Sequence, residues 1–219
     1  MEIIEEYSND STISNISDIT DSSFILNSDD LILLQNPDEM SPKIQSITST
    51  LNLDCSLNLK IISQKIKSSE INQNNKSSLI IKFKDNNTLI TLFSNGKMIC
   101  SGAKSEKVAK SNCLKIAKII RKLGYDIKIK EYKIQNIIAN YEINFKLDLN
   151  ILYKNICDCF RNANCKFDKN VFQGVIVYIN GLNVTIFESG KIVISGAKNK
   201  NDIENIFKQI FPLINEAKG

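Results

Sequence analysis

The chain contains no histidine among its 219 residues. That absence removes the commonest general base and the usual partner of a serine or cysteine nucleophile, leaving carboxylates and lysines for any chemistry. Long apolar runs are missing as well. Nothing approaches the roughly 18 residues of a membrane span, and the N-terminus carries acids where a signal peptide needs bases. The chain is therefore expected inside the cell. Six cysteines are present (55, 100, 113, 157, 159 and 165), yet no Cys-x2-Cys pair accompanies them. They read as free thiols packed in a reducing compartment, with no metal site and no cofactor.

Positive charge is absent from residues 1–42, which hold ten Asp and Glu and not one Lys or Arg. All 28 bases therefore fall in residues 43–219 against 14 acids, so that part carries a net charge of +14. A basic body behind an acidic tail points to a polyanion as the partner of the body. The tail, rich in Ser, Asn and Asp, is expected to be disordered. Its two apolar clusters, Phe24-Ile-Leu and Leu31-Ile-Leu-Leu, make it a candidate to dock on the basic body and compete with its ligand.

What the chain does have is a duplication. Phe93-Ser-Asn-Gly-Lys-Met-Ile-Cys-Ser-Gly-Ala-Lys104 returns 94 residues later as Phe187-Glu-Ser-Gly-Lys-Ile-Val-Ile-Ser-Gly-Ala-Lys198, identical at seven of twelve positions. Each copy alternates as two strands joined by a tight turn. Ile90, Leu92, Met98 and Cys100 share one face with their counterparts Val184, Ile186, Ile192 and Ile194. The other face carries Thr91, Phe93, Lys97, Ile99 and Ser101, matched by Thr185, Phe187, Lys191, Val193 and Ser195. It is too apolar for a solvated face and too polar for a core, as binding surfaces are.

Around these hairpins the pattern predicts a strand from Ile44, a short helix over 57–69, a polar loop or edge strand over 70–77 and strands over 78–84, 88–94 and 97–104. A helix capped by Ser105 and stopped by Gly124 follows, with a stripe of Val108, Ala109, Cys113, Ile116, Ala117 and Ile120. The second copy starts at Tyr132 and continues with a helix over 149–160, strands over 171–178, 184–188 and 191–198, and a closing helix through Ile203 to Phe211. Each copy thus reads β-α-β-β-β-β-α. The expected fold is α+β: two tandem repeats, 43–125 and 126–219 behind the tail 1–42, forming one curved antiparallel sheet with helices on its convex face.

The hairpin motifs, together with Lys122-Leu-Gly-Tyr and Lys133-Ile-Gln-Asn-Ile, resemble the core of the TATA-box-binding protein family over about residues 42–214. The resemblance implies a saddle whose concave face enters the minor groove of A/T-rich double-stranded DNA and kinks it with apolar wedges. By position, Asn136 matches the family's base-contacting Asn, Ser101 and Ser195 its Thr pair, and Ile99 and Val193 its floor Val residues. Phe93, Phe172 and Phe187 match three of its four wedges. Lys97, Lys191 and Lys82 match phosphate contacts. The first copy departs more: Lys76 falls on the fourth wedge, Ser46 on the second Asn and Thr48 on the Val that faces Ile138. Thr91 and Thr185 replace Leu beside the wedges.

The implied function is a general transcription initiation factor that is not an enzyme and acts as a monomer on DNA. Its partners would be a transcription-factor-IIB-like protein and the RNA polymerase machinery, and its free saddle is expected to self-associate weakly. The loop Phe167-Asp-Lys-Asn-Val lacks one of the family's two acids for the IIB-like partner. The compositional bias to Asn, Ile and Lys resembles an A/T-rich genome, protist or viral, placing the protein in a nucleus or a viral factory. The alternative is a saddle kept as a protein- or nucleic-acid-binding module with altered specificity. A nuclease is disfavoured because the inferred concave face has no carboxylates at its centre.

Overall fold

The computed structural model describes residues 41–73 and 77–219. Tail residues 1–40 and Lys76 lie outside the described residues. Ten strands form a single antiparallel sheet: β1 Lys43–Asn52, β2 Ser69–Ile71, β3 Ser78–Phe83, β4 Thr88–Phe93, β5 Lys97–Ala103, β6 Lys130–Glu142, β7 Asn164–Lys166, β8 Gly174–Ile179, β9 Leu182–Phe187 and β10 Lys191–Ala197. The helices are α1 Leu59–Lys65, α2 Glu106–Lys122, α3 Leu149–Cys159 and α4 Lys200–Glu216. The strand order is β2-β3-β4-β5-β1-β6-β10-β9-β8-β7. Read outward from the central β1–β6 pair, both halves run in the same sequence, so the duplication is a pseudo-two-fold of one curved sheet.

Alternation decides which residues meet the helices. Ile47 and Leu51 on β1, Ile90 and Leu92 on β4, Ile137 and Ala139 on β6, and Ile192 and Ile194 on β10 are all 2% exposed or less. Against them pack Ala109, Ile116 and Ile120 of α2 and Ile203 and Ile206 of α4, while α3, with Leu152 and Ile156 buried, packs on β7, β8 and α4. Each buried Ile or Leu stabilises the fold by about 1.5–3 kcal/mol relative to exposure. Tyr141 closes the second half, its ring edge-on to Phe207 at 4.7 Å and to Phe211 at 6.1 Å. Pro212 sits inside α4 and forgoes the bond to the Lys208 carbonyl, at a residue whose exposure lets water serve instead.

Several expected boundaries move for local reasons. Helix α1 is shorter than 57–69, because Asn58 caps it by accepting from the Lys60 and Ile61 N–H groups and Leu57 is tied by its N–H to the Ser94 carbonyl. Ser69–Ile71 pair with β3 as an edge strand. Strand β8 begins at Gly174 rather than 171, since Val171 and Phe172 both donate to the Asp168 carbonyl, at 3.0 and 2.9 Å, and wind that segment into a turn. Ser105 does cap α2, accepting from Val108 N–H, and Gly124 follows it at φ +92°. The buried stripe of α2 includes Asn112, whose Nδ2 donates to Asn86 Oδ1 at 3.3 Å and so pins the turn between β3 and β4. All six cysteines are free.

The glycine shared by both hairpin turns is a backbone requirement. Gly96 and Gly190 adopt φ +80° and +86°, and a Cβ would stand 2.6 Å from the Cys55 carbonyl oxygen in the first copy and 2.5 Å from Ile143 Cγ1 in the second. Gly124 has a similar φ but nothing within 4 Å of its would-be Cβ. Gly124→Ala is therefore expected to cost only the backbone strain, about 1–2 kcal/mol. Gly190→Ala adds a steric clash and should cost about 3–5 kcal/mol. Urea midpoints of the two variants measure the difference; equal losses would mean that the turn relaxes around the added methyl.

Candidate nucleic-acid interface

The face opposite the helices is a continuous surface of half-buried side chains. Its order follows from strand pairing, because residues directly opposite each other in an antiparallel ladder point to the same side. In the first half one such row runs Glu70, Ile80, Thr91, Ile99, Thr50, Lys133. The pseudo-two-fold repeats it as Lys166, Ile176, Thr185, Val193, Asn140, Lys43. The middle of each row is uncharged, apolar or hydroxyl-bearing except for the amide of Asn140, and its ends are charged. That suits a ligand with a sparsely polar floor between two charged rails.

The aromatic residues sit on strands outside the centre. Phe93 lies opposite Ser78, and Phe187 opposite Gly174. At the second site Phe172 joins, 39% exposed, with its ring centroid 5.7 Å from that of Phe187 at 59°. Gly174 is what admits it: a Cβ there would lie 2.9 Å from Phe172 Cε1 and 3.3 Å from Phe187 Cδ1. Phe172 thus belongs to the face although it stands in the turn before β8 rather than in the strand. Val171 beside it is 82% exposed. The equivalent of Phe172 in the first half, Lys76, falls outside the described residues.

Asn136 is held at the centre by a defect in the ladder. Pairing of β10 with β6 shifts register between Ile194 and Ala197, and the Asn136 side chain fills the gap, its Oδ1 accepting from Gly196 N–H at 2.7 Å. Since a backbone N–H demands the amide oxygen, the NH2 end of Asn136 faces away from the ladder as a donor. Gly196 has φ +95°, and a Cβ would meet the Gly181 carbonyl oxygen at 2.7 Å, which explains the glycine of the Ser-Gly-Ala-Lys repeat. In the first half Ser46 occupies the matching place without an amide. Thr48 and Ile138 lie beside Ser46 and Asn136 on the same face.

Lys97 and Lys191 stand exposed at the first positions of β5 and β10, opposite Asn52 and Glu142. Lys82 is exposed on β3, but its Nζ is 2.8 Å from Glu70 Oε1. Ser101 and Ser195 lie opposite Leu89 and Asn183. The structure therefore gathers every expected residue that it describes onto one face. It adds Ile80, Ile176, Thr50, Asn140, Asn183 and Gln135, whose Nε2 donates to Thr50 Oγ1 at 2.9 Å. Extending the alternation one strand further would have found the first four. Asn183, two residues before Thr185 on the same face of β9 and with an Oδ1 that has no hydrogen-bond partner among the described residues, follows from the same alternation, whereas the bulged Gln135 leaves no such signal.

A cavity of about 550 Å³ opens on the first half of this face, lined by Thr50, Phe93, Lys97, Ile99, Lys133 and Gln135 among others. Glu131 at its edge is held below the usual carboxylate range by the hydrogen bond from Lys133. Among the described residues no cluster of three or more Cys, Asp or Glu could hold a metal ion, and no helix is long and apolar enough to cross a membrane.

The family model described as transcription factor TFIID, or TATA-binding protein, matches residues 41–123 and again 131–217, one match to each half of the sheet. TATA-box-binding protein 2 of Arabidopsis thaliana is 35% identical over 188 residues, covering 85% of this chain and 92% of that protein. The TATA-box-binding protein of Acetabularia peniculus is 33% identical over 192 residues, covering 86% and 97%. Among solved structures, Methanococcus jannaschii TBP superposes with a TM-score of 0.66 at 24% identity, over 81% of this chain and 99% of that one. With both halves matched in order and two full-length relatives at about a third identity, the chain belongs to the TATA-box-binding protein family.

Proposed function

We propose that the open face binds and bends A/T-rich duplex DNA through its minor groove, making the protein a promoter-recognition factor of transcription initiation. The observation that carries this reading is the duplicated face itself, an apolar floor set between aromatic residues with one oriented amide donor at its centre. In the minor groove an A·T pair shows only the acceptors adenine N3 and thymine O2, whereas G·C adds the guanine amino group. The Asn136 NH2 is complementary to those acceptors, while Ile99, Ile138 and Val193 offer nothing to the guanine amino group. Phe172 and Phe187 are placed to enter a base step, with Gly174 giving them room. Lys97 and Lys191 are exposed for the phosphates, and the +14 of residues 43–219 favours approach. A IIB-like partner and the polymerase machinery complete the proposal, with Asp168 and Val171 at the exposed loop before β8.

The hydroxyl-bearing positions favour a shifted preference rather than a lost one. Ser46, Thr48, Thr91 and Thr185 carry oxygens that can accept from a guanine amino group, and two of the four lie at the centre of the first half. Selection of binding sites from random duplexes should yield strict A/T under the second half and tolerated G·C under the first. Equal stringency at both ends would contradict this.

Phe187→Ala is expected to weaken binding of an A/T-rich duplex by about 1–3 kcal/mol, the scale of a lost base-stacking contact. Gly174→Ala should act in the same direction by displacing Phe172. Lys191→Ala should instead weaken every duplex and lower the salt dependence by about one phosphate contact. If Phe187→Ala binds A/T-rich DNA as tightly as the unaltered protein, the face has been misassigned.

The kinks should also be unequal. Opening a base step costs a few kcal/mol that an inserted side chain must offset, and the position matching Phe172 holds Lys76, whose ammonium is costly to insert between bases. With 2-aminopurine placed in turn at each end of the selected site, fluorescence should rise more at the end held by Phe172 and Phe187. Lys76→Phe should raise it at the other end; equal signals before the change would refute the asymmetry.

A further inference from the structure

The two outer corners of the open face occupy equivalent positions in the pseudo-two-fold but are chemically opposite. Glu70 on β2 pairs with Ile80, just as Lys166 on β7 pairs with Ile176. On the next strand inward, Lys82 and Tyr178 lie at the same step, opposite Leu89 and Asn183. In the first corner Glu70 and Lys82 form an ion pair of 2.8 Å, their side chains 60% and 57% exposed. In the second, Lys166 Nζ lies 5.7 Å from the centroid of the Tyr178 ring, and Tyr178 is 42% exposed. An aromatic face holds an ammonium in place without cancelling its charge. A carboxylate at ion-pair distance cancels it.

Position-by-position matching points to Lys82 as a phosphate contact and to nothing at Tyr178. Geometry and charge give the reverse. Resting on the proposal that this face binds a duplex, we infer that Lys166, steadied by Tyr178, is a phosphate contact of the second half. Glu70 is a built-in brake that removes Lys82 from the contacts of the first half. Among the described residues, the outer corner of the second half then offers the backbone one uncompensated positive charge. The outer corner of the first offers a neutral pair whose carboxylate repels any phosphate brought near it. The grip on the duplex is thereby biased towards the half that also holds Asn136, Phe172 and Phe187.

Phosphate contacts have a readout that packing does not move. The logarithm of the binding constant falls linearly with the logarithm of salt concentration, with a slope of about −0.9 for each phosphate neutralised. One contact therefore changes the affinity loss between 50 and 200 mM salt by about 3.5-fold. The experiment measures this slope on one A/T-rich duplex for the full chain and for four variants: Lys166→Gln, Glu70→Gln, Lys82→Gln and the double variant Glu70→Gln with Lys82→Gln. All five proteins are first matched by thermal unfolding.

The slope is expected to become shallower by about 0.9 in Lys166→Gln and steeper by about 0.9 in Glu70→Gln. It should stay unchanged in Lys82→Gln and return to its original value in the double variant. A slope unchanged by Lys166→Gln overturns the first half of the inference. A slope made shallower by Lys82→Gln alone, or unmoved by Glu70→Gln, overturns the second. Should the unaltered chain bind no A/T-rich duplex, the reading of the whole face falls and this inference with it. If it binds while the variants fail as described, only the inference falls.

Discussion

Among the described residues, four helices cover one face of a ten-stranded sheet and none covers the other, and this constraint governs the rest of the molecule. Alternation along each strand makes the two faces inseparable: burying Ile90 and Leu92 under α2 necessarily turns Thr91 and Phe93 outward. A one-residue slip anywhere would move core isoleucines to the open side and the open-face residues into the core. The apolar contacts that fold the protein therefore also hold its open face in register, with no separate scaffold for the site. The exceptions are positions where register breaks, among them Gln135 on β6 and the step between Ile194 and Ala197 on β10. The second of these is where Asn136 is fixed.

Duplication supplies the symmetry and divergence removes part of it. Glycines at the hairpin turns recur because the backbone has no room for a side chain there, whatever the face above them does. On the open face no such backbone limit applies, and the two halves differ: Asn136 against Ser46, Ile138 against Thr48, Lys166 against Glu70, Tyr178 against Lys82. On the proposed reading, most of these differences place the stronger binding group in the second half. If the open face binds a duplex as proposed, a nearly two-fold protein on a nearly two-fold ligand would otherwise settle in either orientation, and unequal halves would give the complex a direction.

Much of this was legible in the sequence, because long alternating strands and long amphipathic helices announce themselves. The core faces of β4, β5, β9 and β10, the cap at Ser105 and the stop at Gly124 follow from local pattern. Short edge strands do not: three residues such as Ser69–Ile71 carry no period, so Glu70 could not be placed opposite Ile80. The room that Gly174 makes for Phe172 depends on a turn wound by hydrogen bonds to the Asp168 carbonyl, which no spacing reveals. Lys82 was legible as a basic residue on the right strand. Its pairing with Glu70 joins strands at the sheet edge and needed the structure.

The central claim is that the open face reads a minor groove, and base analogues test it most directly. An inosine·cytosine pair presents the same minor-groove acceptors as A·T, without the guanine amino group, while its major groove resembles that of G·C. The measurement is the affinity of the full chain for three duplexes of one site, built with A·T, I·C or G·C pairs under the Asn136 half. The account predicts near-equal binding of the A·T and I·C duplexes and weak binding of G·C. Binding of I·C as weak as that of G·C would place recognition in the major groove and contradict it.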